Sequence, residues 1–148
     1  MVRDGVDPLS IEGSLKNGGR YNPPGEFGVL YASLEEGTAV AEVARSLRLR
    51  GIDPNEYPAG AWWHYELEVK VESVLDLTIP DGLEKLQLQA DSLRSEDFGL
   101  TRQIATEARR AGYQALIAPS AAVPGAKNLV IFPEKLPEAP TVLSSRAA

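Results

Sequence analysis

Apolar residues recur along the chain with the periods of both strands and helices. Four segments read as strands, three of them short apolar runs and one a long alternating run: 27–33, 62–77 (with a bend at 72–73), 113–118 and 128–132. Apolar spacings of three and four predict helices at 38–49 and 100–111, with a shorter one at 83–88. Thr38 is placed to cap the first helix, and Gly112 is placed to end the second.

One helix carries a carboxylate in an unusual setting. The stripe formed by Val40, Val43, Ala44 and Leu47 predicts the face of helix 38–49 that packs on the core. Glu42 projects away from this stripe, among Ala39, Ser46 and Leu49. Small and apolar neighbours around one carboxylate are more typical of a cleft wall than of a solvated face.

The order of these elements predicts one α+β domain, because strands outnumber helices and no regular βαβ alternation occurs. We expect a single domain over 1–148 with its core at about 7–132. Residues 1–17 read as loop with at most a short strand. The proline-rich tail, 133–148, is expected to be partly disordered, above all beyond Val142.

Composition narrows the chemistry. The 148 residues include no cysteine and one histidine, so thiol nucleophiles and histidine zinc sites are excluded. His64 lies in an alternating run and reads as a structural histidine. The net charge of −6 argues against nucleic-acid binding by the chain alone, and no apolar run is long enough for a membrane span. We therefore expect a cytoplasmic protein.

A loop rich in glycine and proline precedes the first strand. Gly18-Gly19-Arg20-Tyr21-Asn22-Pro23-Pro24-Gly25 contains three glycines and two prolines, which excludes regular helix or central strand. Its constrained backbone presents one guanidinium, a group suited to bidentate binding of phosphate. A surface loop with a solvated Arg20 is the alternative, and the loop alone leaves both open.

Three of these segments together resemble the RES domain family, which is named for an arginine, a glutamate and a serine. They are Gly18-Gly19-Arg20-Tyr21-Asn22, Thr38-Ala39-Val40-Ala41-Glu42-Val43 and Ala118-Pro119-Ser120-Ala121. The resemblance implies a fold like that of ADP-ribosyltransferases, a mixed β-sheet core with flanking helices. It also implies a toxin of a bacterial toxin–antitoxin pair that consumes NAD⁺ without a metal.

The resemblance also implies roles for individual residues. Glu42, Arg20 and Tyr31 would be catalytic: Glu42 faces the ribosyl cation, Arg20 holds the pyrophosphate and Tyr31 stacks on nicotinamide. Ser120 would bind a phosphate or orient Glu42. Tyr21 and Asn128 are further NAD-binding candidates, although Tyr21 is equally suited to the core and Asn128 to closing a loop.

Several reactions and partners stay open at this point. Cleavage of the nicotinamide–ribose bond by water or phosphate competes with mono-ADP-ribosylation of a protein, and Val40, two residues before Glu42, favours the first. A different class of function also remains open, namely a catalytically weak module that binds NAD or a partner. The resemblance implies an Xre-like antitoxin as partner, with a homodimer or hetero-oligomer left open.

Overall fold

A computed structural model describes the whole chain, residues 1–148, as seven strands and four helices. The strands are β1 (Val2–Arg3), β2 (Leu30–Ser33), β3 (Trp62–Glu68), β4 (Val74–Asp76), β5 (Ala115–Pro119), β6 (Lys127–Ile131) and β7 (Thr141–Ala147). The helices are α1 (Glu12–Asn17), α2 (Glu36–Leu49), α3 (Pro80–Lys85) and α4 (Gly99–Arg110). The predicted α+β class is confirmed. No helix combines the length and apolarity that a membrane crossing requires.

The central sheet has the strand order β2-β6-β5-β4. Its pairs are antiparallel except β4 and β5, which run parallel, so the predicted mixed sheet is confirmed. Asn128 lies near the start of β6, opposite Ser33 on β2 and Ala118 on β5. This register brings polar residues of β2 and β6 side by side at one end of the sheet.

Helix α4 covers the central sheet and completes the hydrophobic core. Its buried residues Ile104, Ala105 and Ala108 belong to the same cluster as Leu116 and Val130 of the sheet. The apolar spacing of α4 predicts this inner face only in part, because Ile104 and Ala108 are buried whereas Ala111, at the same spacing, is exposed. Just beyond the helix, Gly112 adopts a φ of 92°, the left-handed conformation expected of a glycine that ends a helix.

Helix α2 is present, but its predicted inward stripe is confirmed only at Leu47. The helix begins at Glu36, and its buried residues are Thr38 and Leu47. Val40, placed in the stripe, is 42% exposed. The reason is that Glu42 forms hydrogen bonds with the end of the central sheet, and these turn a polar side of the helix inward.

The predicted strand over 62–77 is two strands in different sheets. β3 pairs with β1 and β7, whereas β4 pairs with β5. Between them, the side-chain Oε1 of Gln114 accepts hydrogen bonds from the backbone N–H groups of Glu72 and Ser73 at 2.7 and 3.2 Å. Between the two strands, a side chain that is distant in sequence thus replaces a strand partner. The alternation of apolar and polar residues cannot predict such a contact.

The tail forms a strand where partial disorder was expected. β7 pairs with β3 in an antiparallel ladder that places Arg146 opposite His64. Arg146 also forms an ion pair with Glu36 at the start of α2. All seven residues of β7 are exposed, so backbone pairing rather than burial orders the segment. At the other end, 1–17 contains α1 as well as the short strand β1, which joins the same sheet.

Removing β7 should loosen the small sheet and leave the central sheet intact. In a chain ending at Pro140, we expect faster amide hydrogen exchange along β3, because its inter-strand bonds on that side are lost. The thermal midpoint should fall by about 10 °C or more, since several inter-strand hydrogen bonds are lost and each contributes roughly 1 kcal/mol net. Amides of β5 and β6 are the internal control, and unchanged exchange along β3 would contradict the pairing.

Candidate active site

The carboxylate of Glu42 is bound to the end of the central sheet. Ser120 directly follows β5, and its Oγ donates to Oε1 of Glu42 at 2.6 Å. Asn128 of β6 donates from Nδ2 to the same oxygen at 2.8 Å. Two charge-assisted hydrogen bonds therefore fix one oxygen of a half-buried carboxylate. No group of the protein donates to its Oε2, which remains available to a ligand.

Both donors are themselves held in place. Ser120 is buried, and its Oγ accepts from the backbone N–H groups of Ala122 and Val123 at 3.1 and 3.0 Å. Asn128 accepts at Oδ1 from Ser33 Oγ at 2.8 Å. The expectation that Asn128 closes a loop through backbone bonds is thus wrong, because its amide joins two side chains instead. Ser33, which the sequence analysis missed, belongs to this network.

Tyr31 has a bonded hydroxyl and an accessible ring. Its hydroxyl donates to Oδ1 of Asn22 at 2.8 Å and accepts from the backbone N–H of Tyr21 at 2.9 Å. Burial of this end raises the pKa of the Tyr31 phenol well above its ordinary value. The residue is nevertheless 45% exposed, so its ring offers a surface for stacking.

Asn22 joins the glycine–proline loop to its surroundings. It is fully buried, and its Nδ2 donates to the carbonyls of Ser14 and Phe27 at 2.8 and 2.9 Å. Together with the bond from Tyr31, these contacts tie the loop to α1 and to the approach to β2. Asn22 was quoted in the motif without a role. Its amide suits the place because it donates and accepts at once.

Arg20 presents an unpartnered donor. Its Nη1 donates to the carbonyls of Leu93, at 3.2 Å, and Ser95, and its guanidinium lies 4.6 Å from the ring centroid of Phe98. Its Nη2 is buried and has no hydrogen-bond partner. Buried polar groups without partners are costly and rare, so this nitrogen is a candidate donor to a ligand.

The start of α4 holds the backbone on which Arg20 stands. Thr101 Oγ1 donates to the carbonyl of Arg20, and Arg102 Nε donates to the carbonyl of Gly19 at 2.9 Å. Phe98, just before α4, has the guanidinium of Arg102 at 5.5 Å from its ring as well as that of Arg20. These residues were not predicted as part of the site, because they lie far along the sequence and act mainly on backbone groups.

Tyr21 lies in the core rather than on an open surface. It is 3% exposed and belongs to the main hydrophobic cluster. Its hydroxyl is buried without a partner, and burial raises the pKa of the phenol well above its ordinary value. Of the two roles left open for Tyr21, the structure supports packing in the core.

Strand geometry places these groups on one side of the central sheet. Tyr31 and Ser33 are two residues apart on β2 and project from the same face. Ser33 contacts Asn128, which contacts Glu42. At the other end, Tyr31 packs against Gly19, the neighbour of Arg20. A continuous chain of contacts thus runs from the arginine to the glutamate.

Electrostatics agree with this proximity. Burial lowers the pKa of the Arg20 guanidinium, and the charge of Arg45 lowers it further, whereas Tyr21, Glu42 and Tyr31 act in the opposite direction. Arginine remains charged despite such shifts. Arg20 and Glu42 therefore lie close enough to influence each other, yet they form no ion pair.

Metal-ligating side chains do not gather in this structure. No group of three or more histidine, aspartate or glutamate residues is placed to hold a metal ion. His64 lies on β3, with its Nε2 3.7 Å from Oε1 of Glu36, and takes no part in the contacts of Glu42. Its position in a surface ion-pair cluster agrees with the structural reading.

The fold and these contacts define an α+β domain with a buried arginine donor and a fixed carboxylate on one side of a mixed sheet. The chain belongs to the RES domain family, whose model matches residues 3–147. This match extends beyond the expected core of 7–132 at both ends and takes in β1 and β7.

Named relatives agree with this membership. A probable NAD(+) phosphorylase of Mycobacterium tuberculosis is 39% identical over 119 residues, which are 80% of this chain and 55% of that protein. The NAD(+) phosphorylase MbcT of Mycobacterium bovis is 28% identical over 125 residues, 84% of this chain and 66% of MbcT. The chain therefore spans between about half and two thirds of the length of these curated relatives.

A solved structure shows the same fold. A chain in the crystal structure of the M. tuberculosis MbcT–MbcA toxin–antitoxin complex superposes with a TM-score of 0.85 at 24% sequence identity. The superposition covers 99% of this chain and 80% of that chain. The expected fold class is thus confirmed for almost the whole length, including the tail strand.

Close approach between Gly19 and Tyr31 yields a test of the site's architecture. A Cβ added at Gly19 would lie 2.5 Å from the Tyr31 hydroxyl, so Gly19→Ala must displace the phenol. We expect a loss of about 1–3 kcal/mol in the free energy of unfolding, measured by urea denaturation.

Gly13→Ala is the matched control, because nothing lies within 4 Å of a Cβ at this helical position. It should be neutral or stabilise by up to about 1 kcal/mol. Equal stability of the two variants would show that Tyr31 does not pack on the loop.

Proposed function

We propose that this chain cleaves the nicotinamide–ribose bond of NAD⁺ with inorganic phosphate as the acceptor, as a toxin that acts on cellular NAD⁺. The observation that carries the proposal is the buried, unpartnered Nη2 of Arg20 on the same side of the sheet as the free Oε2 of Glu42. One is a donor for a phosphate, and the other is an acceptor for ribose. The names of the phosphorylase relatives support the choice of substrate.

Glu42 would act on the developing charge of the ribose. Departure of nicotinamide leaves an oxocarbenium-like sugar, and the leaving group needs no protonation because it departs neutral. A fixed carboxylate beside the anomeric carbon stabilises that cation, as carboxylates do in glycoside cleavage. Oε1 is occupied by Ser120 and Asn128, so Oε2 is the atom that would face the ribose.

Arg20 would hold the pyrophosphate. Its Nη1 is already bonded to two backbone carbonyls, which leaves Nη2 to donate to a phosphate oxygen. The rigid setting of the guanidinium against Phe98 lowers the entropic cost of binding. The exposed ring of Tyr31, between the two charged groups, would stack on nicotinamide and align the scissile bond.

Phosphorolysis is favoured over transfer to a protein by the residue two positions before Glu42. In related transferases this position often carries a glutamate or glutamine that activates the acceptor, whereas here it is Val40, with 42% of its surface exposed. An apolar side chain cannot act as a base toward a protein acceptor. Hydrolysis is the remaining alternative, in which water rather than phosphate attacks the same bond.

A protein partner follows from the same family relationship. The structural neighbour comes from a toxin–antitoxin complex, which supports an antitoxin for this chain. An NAD⁺-consuming enzyme must be restrained in its own cell, and the accessible ring of Tyr31 indicates a site that a partner can cover. An Xre-like partner and assembly into a homodimer or hetero-oligomer remain predictions.

Glu42→Gln separates the charge of Glu42 from its structural role. The amide oxygen can still accept from Ser120 and Asn128, so the thermal midpoint should change little. Loss of the negative charge should lower the rate of nicotinamide release by about 10²–10³-fold. Wild-type protein that binds NAD⁺ without releasing nicotinamide would refute the enzyme and support a binding module.

Arg20→Lys should weaken NAD⁺ binding more than it slows the reaction. Lysine keeps the charge and loses the planar fork that reaches the carbonyls of Leu93 and Ser95 while donating to a phosphate. We expect the KM for NAD⁺ to rise about ten-fold or more. Arg50→Lys, at the exposed end of α2, is the control, and equal KM values would remove Arg20 from the site.

A further inference from the structure

We propose that Arg45 binds the attacking phosphate, in a groove on α2 that is separate from the pyrophosphate site at Arg20. This inference rests on the proposed function and assigns its second substrate to a residue. It predicts that one arginine determines the affinity for NAD⁺ and another the affinity for phosphate.

The position of Arg45 suits an acceptor next to the reacting carbon. It follows Glu42 by three residues on α2, so the two side chains emerge on neighbouring parts of the helix surface. Its side chain is only 23% exposed, although an arginine on a surface helix is usually well solvated. Its one ion-pair partner, Glu96, lies at 4.0 Å and is itself 76% exposed. Such a contact is weak and leaves the guanidinium available.

Arg45 lines a groove with room for a small anion. The groove has a volume of about 510 Å³, and its other walls are mostly small residues: Gly37, Ala41, Ala44, Ala121 and Ala122. Ala41 precedes Glu42, and Ala121 follows Ser120, which binds Glu42. Glu42 itself does not line the groove, so Arg45 is the charged side chain that connects the groove with the neighbourhood of the carboxylate, and the small side chains leave space there that larger ones would fill.

The charges of the site also call for a second anion. Arg20 and Arg45 lie close enough that Arg45 lowers the pKa of Arg20. Two positive charges brought together away from bulk water repel each other, and this cost is offset when anions bind between or beside them. NAD⁺ supplies the pyrophosphate for Arg20, and inorganic phosphate is the anion that the phosphorylase reaction adds.

The bond changes balance with no further reactant. A phosphate oxygen forms a bond to C1″ of the ribose while the C1″–nitrogen bond breaks. The electron pair of that bond neutralises the pyridinium nitrogen, and nicotinamide leaves. The proton of hydrogen phosphate stays on the phosphate group, which becomes the 1″-phosphate of ADP-ribose. Arg45 would hold the phosphate near Glu42 and shield the repulsion between the two anions.

The test compares Arg45→Ala with wild type at varied phosphate and varied NAD⁺ concentrations. We expect the KM for phosphate to rise about ten-fold or more, while the KM for NAD⁺ changes less than about two-fold. The product ratio should shift from ADP-ribose 1″-phosphate toward ADP-ribose, as water replaces the poorly bound phosphate. Arg45→Lys should recover part of the phosphate affinity.

Arg50→Ala is the matched control, because Arg50 is an exposed arginine at the end of α2 that does not line the groove. An unchanged phosphate KM in Arg45→Ala, or an equal effect from Arg50→Ala, would overturn the inference. A rise in the KM for NAD⁺ alone would also overturn it and place Arg45 at the pyrophosphate.

A binding readout separates this inference from the proposed reaction. Inorganic phosphate should raise the thermal midpoint of wild type, relative to chloride at equal ionic strength, and should not raise that of Arg45→Ala. Stabilisation lost in Arg45→Ala supports the site even in the absence of turnover. If wild type forms ADP-ribose as the sole product besides nicotinamide, and phosphate does not raise its thermal midpoint, the phosphate site is refuted. NAD⁺ cleavage by water then remains as the reaction.

Discussion

The hydrogen bonds that end on one oxygen of Glu42 determine how α2 sits on the molecule. Ser120 and Asn128 come from different parts of the central sheet, and both donate to Oε1. A half-buried carboxylate requires such donors, since an unpaired one would cost several kcal/mol. The helix is therefore held by a polar contact as well as by the buried Leu47, and the second oxygen of Glu42 has no protein donor.

The positive side of the site depends on a different set of elements. Arg20 stands on a loop whose backbone is held by Thr101 and Arg102 at the start of α4, and its side chain rests on Phe98. The carboxylate depends on the sheet and the guanidinium on α4. The packing of Tyr31 on the loop and the contacts along β2 and β6 connect the two sides within the site, while the packing of α4 on the sheet connects them through the core.

Local patterns in the sequence predict those elements whose structure has local causes. The apolar spacing of α4 and the glycine after it predicted the helix, part of its inner face and its end correctly. The prediction of one strand over 62–77 was wrong because its two halves pair in different sheets. Gln114, which is distant in sequence, accepts hydrogen bonds from the backbone between β3 and β4. The prediction of partial disorder in the tail was wrong because backbone pairing with β3 orders the tail without burial. Amino-acid composition does not indicate such pairing.

The site was predictable only in part for a similar reason. Arg20, Glu42, Tyr31 and Ser120 stand in segments whose order resembles a known family, so comparison found them. Asn22, Thr101 and Phe98 shape the site through a buried amide, a backbone carbonyl and a ring face. No characteristic spacing in the sequence predicts these contacts, and only the three-dimensional structure shows which residues meet.

The separation of two opposite charges is the strongest sign that this site serves a ligand. Arg20 and Glu42 influence each other, and an ion pair between them would satisfy both. The structure instead binds Arg20 to two carbonyls and Glu42 to two neutral donors. Each group thereby keeps one atom free of protein partners, a donor on one and an acceptor on the other. The proposed substrate carries phosphates, which accept hydrogen bonds, and ribose hydroxyls, which donate them, so its chemistry matches the two atoms that the protein leaves without partners.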